Sequence, residues 1–69
     1  MRTVSIKTAV EAWAPGAQVR ILNCKDYKGV VFAVFTLTEG GLVSLWEAKF
    51  SPGGNLRDPD LLHEEPINK

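Results

Sequence analysis

Apolar and polar positions alternate along most of this chain, and the alternation predicts a β protein. Thr3-Val4-Ser5-Ile6-Lys7 has the period of a half-buried strand. Thr8 to Ala14 reads as a loop or a short helix capped by Thr8, and Pro15-Gly16 ends it. Val19 and Ile21 then share one face of a strand and Gln18 and Arg20 the other, while Leu22 breaks the alternation. Asn23 to Gly29 reads as a polar turn, with Gly29 free to take positive φ. The strongest strand signal runs from Val30 to Thr38, β-branched and aromatic throughout. Glu39-Gly40-Gly41 supplies hairpin chemistry, and Leu42 to Phe50 is the return strand. Ser51-Pro52-Gly53-Gly54-Asn55 is a second turn. Leu56-Arg57 begins a short strand. Asp58-Pro59-Asp60-Leu61-Leu62 predicts a single helical turn, with Asp58 as N-cap and Pro59 in the first turn. His63 to Ile67 is a last short strand.

The central strand is apolar on both parities, which is unusual for a small sheet with one wet face. Val30, Phe32 and Val34 fill the interior on one reading, and Val31, Ala33, Phe35 and Leu37 then point outward. The return strand repeats the pattern, with Val43 and Leu45 opposite Trp46 and Phe50. Two apolar faces require two covers. The N-terminal segment can supply one, through Val4, Ile6, Val10 and Trp13; a second chain can supply it instead. On the second reading the expected interface is Val31, Phe35, Leu37, Val43 and Leu45, rimmed by Glu47 and Lys49, with Trp13 or Tyr27 as aromatic anchors.

Composition narrows the class. The chain has 69 residues, 45% hydrophobic, with 8 basic and 8 acidic side chains and no net charge. It is one domain, and it is not disordered on composition. Ordering it costs on the order of 100 kcal/mol at roughly 1.5 kcal/mol per residue, so a core this small gains from association. Cys24 is the only cysteine, which excludes an internal disulfide. No apolar run approaches the length of a membrane span, and no secretory signal is visible in residues 1–14, so a cytoplasmic protein without membrane contact is expected.

The order of turns and strands from Pro15 onward resembles the SH3-like small barrels of the KOW and Tudor type, including small barrels of phage and mobile-element origin. The residues that carry the resemblance are Pro15-Gly16-Ala17-Gln18-Val19-Arg20-Ile21, Lys28-Gly29-Val30-Val31, the Glu39-Gly40-Gly41 and Ser51-to-Asn55 hairpins, and the turn at Asp58 to Leu62. The resemblance implies an all-β fold: a barrel of about five strands over residues 15–67, a 3₁₀ turn at residues 58–62, and an extra N-terminal strand or arm at residues 1–14. It implies nothing specific about function, because the fold hosts many activities.

Catalytic and metal chemistry find little support. His63 and Cys24 are the only imidazole and thiol and lie 39 positions apart without a local motif. Asp58, Asp60, His63, Glu64 and Glu65 lack calcium-loop spacing and a second zinc ligand. The paired glycines match no phosphate-binding fingerprint. No catalytic residue, metal or cofactor is therefore expected. Residues 1–57 hold seven basic and four acidic side chains, and residues 58–69 one basic and four acidic. Arg20, Lys25 and Lys28, with Tyr27 among them, form a modest basic patch that would serve nucleic acid. The leading expectation is a non-catalytic protein-interaction module that self-associates. The alternative is a nucleic-acid-binding barrel. An enzyme assembled at an oligomer interface is a third reading, by fold-level analogy alone.

Overall fold

The computed structural model describes residues 3–67. It consists of one helix, α1 (Thr3–Trp13), followed by four strands, β1 (Gln18–Tyr27), β2 (Val30–Glu39), β3 (Leu42–Phe50) and β4 (Leu56–Pro66). The strands form a single antiparallel sheet in the order β1-β2-β3-β4, each paired with its neighbour in sequence. β1 and β4 are its two edges, so among the described residues the sheet is open, and it has four strands where five were expected.

The N-terminal strand expected at residues 3–7 is instead the start of α1. Five residues of alternation also fit the opening of a helix whose sheet-facing positions recur at Ile6, Ala9, Val10 and Trp13, spaced i, i+3, i+4, i+7. Burial decides between them, since Ile6 and Val10 are fully enclosed against the sheet. The helix closes with Ala14 N–H donating to the Val10 carbonyl (2.8 Å), after which Pro15-Gly16 turns the chain into β1. Ile6 and Val10 of α1 share one core with the strands.

From Val30 to Thr38 the odd positions of β2 are buried and the even ones half-buried. Val31, Ala33, Phe35 and Leu37 form the centre of the core with Val19, Ala48 and Phe50, and α1 covers them. Trp13 closes one end, edge-on to Phe35 and to Trp46 (ring centroids 6.4 and 5.2 Å apart). Of the four residues expected as a cover, Ile6, Val10 and Trp13 perform that role; the side chain of Val4 lies outside the described part. Ser44, the one buried polar residue of the described set, donates to the Leu37 carbonyl and accepts from Trp46 Nε1 at 2.8 Å.

Two connections differ from expectation. The turn read over Asn23 to Gly29 contracts to Lys28-Gly29, because β1 continues in register to Tyr27, opposite Val30. Leu22 breaks the alternation because it is a bulge: pairing jumps from Ile21–Phe35 to Asn23–Val34. The helical turn read over Asp58 to Leu62 is part of β4. Asp58 there takes φ 50° and caps no helix; pairing jumps from Lys49–Arg57 to Glu47–Asp60, and Pro59 sits in that irregularity on an edge strand, where its missing N–H breaks no ladder bond. The Glu39-Gly40-Gly41 and Ser51-to-Asn55 hairpins form as read.

Both two-residue hairpins have positive φ at each central position: 52° and 80° at Lys28-Gly29, 60° and 83° at Gly40-Gly41. That geometry matches the right-handed strand twist and favours Asn-Gly. A lysine in the left-handed region is strained by about 1 kcal/mol relative to a residue that tolerates it. Lys28→Asn is therefore expected to raise the melting temperature by about 4 °C or more in a domain of this size, as read by thermal circular dichroism.

Candidate functional site: the open sheet face

Paired residues in adjacent strands share a face, so the register defines a second surface opposite α1. It is built in levels about 6.8 Å apart along the strands. Gln18, Thr38, Val43 and Glu65 form the first; Arg20, Thr36, Leu45 and His63 the second; Asn23, Val34, Glu47 and Asp60 the third; Lys25, Phe32, Lys49 and Arg57 the fourth; Tyr27 and Val30 end the series. The two central strands thus present Val30, Phe32, Val34, Val43 and Leu45 without a helix above them. All five are half-buried, shielded by their cross-strand neighbours alone.

The border of this face is charged and asymmetric. β1 contributes Arg20 and Lys25, with exposed Tyr27 beyond them and the Lys28 ammonium 5.3 Å above its ring. β4 contributes Asp60 and Glu65, with His63 bonded to Glu65 at 2.9 Å and Arg57 at the far end. Lys49 lies 5.8 Å over the Phe32 ring and 3.8 Å from the Asp58 carboxylate. Both partners of that ion pair are well exposed, so it contributes little to stability. Two shallow depressions flank Phe32, one reaching Lys25, Tyr27 and Glu47, the other Asp58, Pro59 and Asp60.

The structure splits the expected interface set between the two faces. Val31, Phe35 and Leu37 lie under α1 and are buried, so they present nothing to a partner. Val43 and Leu45 are on the open face. Of the basic patch read from the sequence, Arg20, Lys25 and Tyr27 project from β1 onto the open face, with Asn23 between Arg20 and Lys25, and Lys28 adjoins Tyr27 in the turn. Sequence reasoning placed Val30, Phe32 and Val34 inside, whereas they are the centre of the open face. The orientation shows once the register joins β2 to β3. Ala33 pairs with Ala48, and a small–small pair leaves room for a helix to approach that face.

Cys24 pairs with Ala33 and so lies on the helix side of β1, half-buried against the core, while His63 is exposed on the opposite face of β4. The two cannot meet within one chain. Among the described residues no three His, Cys, Asp or Glu side chains cluster closely enough to hold a metal ion, and no helix is long and apolar enough to cross a membrane. Comparison of the chain with protein-family models, with curated proteins and with solved structures finds no match.

Proposed function

We propose that this chain is a non-catalytic protein-interaction module that self-associates through its open sheet face. The observation that carries the reading is the run of Val30, Phe32, Val34, Val43 and Leu45 on adjoining register levels with no element over them among the described residues. An apolar surface of that kind, rimmed by charge, is what an interface core requires. The edges favour the face over edge-to-edge pairing. β1 is bulged at Leu22, and β4 carries Pro59, Pro66 and two register shifts, devices that discourage strand addition. The unpaired Cys24 suits a reducing compartment such as the cytoplasm. The resemblance of the strand and turn order to SH3-like barrels accords with a binding module, although such folds host many activities.

Light scattering on a sizing column tests this reading at two concentrations about a hundredfold apart. A mass above that of one chain, rising with concentration, is the expected result. Thr36→Arg places a charge at the middle of the open face, where a monomer can hold it in water, and should give a monomer with unchanged circular dichroism. A single-chain mass for the unaltered protein at both concentrations removes the proposal.

A second reading has one specific observation in its favour, the alignment of Arg20, Lys25 and Tyr27 on one face beside Phe32. Cations flanking exposed rings suit single-stranded nucleic acid. Glu47, Asp60 and Glu65 on the same face oppose it. Salt-dependent binding of a short single-stranded RNA, lost in Arg20→Ala/Lys25→Ala, would favour this second reading.

A further inference from the structure

We infer that the end of the open face nearest the Lys28-Gly29 turn holds a single-stranded nucleic acid, its phosphates on Lys25, Lys28, Lys49 and Arg57 and a base against Tyr27. The inference rests on the second reading above and locates its site. The carboxylates that oppose that reading lie on other levels of the sheet: Glu65 on the first, Glu47 and Asp60 on the third. The fourth level reads Lys25, Phe32, Lys49, Arg57 from edge to edge, three cations around one ring. Tyr27 and Lys28 lie past it, beyond the last level that all four strands share.

Charge is thus sorted along the strands. Glu39, Glu64 and Glu65 gather at the opposite end, around the Gly40-Gly41 turn. Two acids share the cationic end. Asp26 pairs with Val31 and so belongs to the helix side of β1, and Asp58 lies 3.8 Å from the Lys49 ammonium. Among the described residues no carboxylate pairs with Lys25, Lys28 or Arg57. The placement costs the monomer stability, because Lys49 and Arg57 are directly opposed across β3 and β4, where like charges repel. A phosphodiester chain running across the strands offsets that repulsion. With strands about 4.8 Å apart, the fourth level offers it cations over about 14 Å. The base site is beside this track. Tyr27 is more than half exposed, and with Lys25, Phe32 and Glu47 it lines one depression. Exposed rings beside cations stack bases, and the Glu47 carboxylate there accepts a base N–H. An acidic peptide matches the charge but has no base to stack, so Tyr27 discriminates between the two.

The test titrates the full chain into a fluorescein-labelled single strand of about 12 nucleotides and reads anisotropy at several salt concentrations. Contacts from all four cations predict a slope of about −3 in log affinity against log salt. Lys28→Asn/Arg57→Gln should halve that slope, while Lys7→Gln, at an exposed cation of α1, should leave it unchanged. Tyr27→Ala should weaken binding about tenfold at an unaltered slope, since stacking releases no counterions. An unaltered slope in the double variant, or an equal drop in Lys7→Gln, overturns the site proposed here while leaving nucleic-acid binding intact. Full affinity in Tyr27→Ala, with a poly-glutamate of similar length competing as well as the oligonucleotide, overturns the inference in favour of an acidic peptide. A wild type that shows no salt-dependent binding defeats the underlying reading instead. Circular dichroism confirms that the variants are folded.

Discussion

Phe35→Ala is expected to cost about 3–5 kcal/mol, the range for truncating a large aromatic in a packed core. Phe35 is fully buried at the middle of β2, under α1 and edge-on to Trp13. A chain of 69 residues has a total stability of about 3–10 kcal/mol at roughly 0.05–0.15 kcal/mol per residue, so the variant should lose about half of a mid-range stability and unfold at a much lower urea concentration. Phe32 makes the contrast. It is on the same strand, three residues earlier, but on the open face and only half-buried. Phe32→Ala should keep most of the monomer's stability and weaken self-association. Urea unfolding followed by circular dichroism, with sizing in parallel, separates the two effects. Equal losses of stability from Phe32→Ala and Phe35→Ala would contradict the assignment of the faces.

Val10→Asp should be nearly as damaging, and its damage should depend on pH. Val10 is fully buried where α1 meets the sheet, and among the described residues no cation lies in that core to receive a carboxylate. Removing an ionised carboxylate from water costs several kcal/mol, and the folded state meets that cost by keeping the group neutral. Its folded pKa is thus raised above the unfolded value of about 3.9. The folded state then binds more protons than the unfolded state, and stability falls as pH rises above about 4. The gap between variant and wild-type urea midpoints should be narrower at pH 4 than at pH 7. An unvarying gap would mean that the helix lifts off to solvate the carboxylate, with α1 contributing less to the core than its burial implies.

Strand existence was legible because it depends on local pattern. β-branched and aromatic runs between Gly40-Gly41 and the Ser51-to-Asn55 turn leave few alternatives. The extent of β1 was not legible. Asn23 to Asp26 are poor strand formers, and they are extended because each pairs with a residue of β2, a contact invisible in their own sequence. Asp58-Pro59 carries the local signature of a helix start, yet β3 alongside captures it as a bulged strand. The basic side of the candidate face could be read from Arg20, Lys25 and Tyr27. Its acidic side could not, because Asp60 and Glu65 join it only through the register of β4.

The sequence by itself determined that this is a small, mostly β chain with a central strand apolar on both sides and two surfaces to cover. Only the tertiary structure decided which surface is the core. A period of two is symmetric between the faces of a sheet, so alternation cannot tell inside from outside. The asymmetry comes from α1, whose Ile6 and Val10 enclose the face holding Phe35 and the Ala33–Ala48 pair. The same docking turns a five-residue alternation into a helix, since β-branched residues with weak helix propensity become helical once their apolar stripe is buried. What remains uncovered, from Val30 to Leu45, follows from that one packing event.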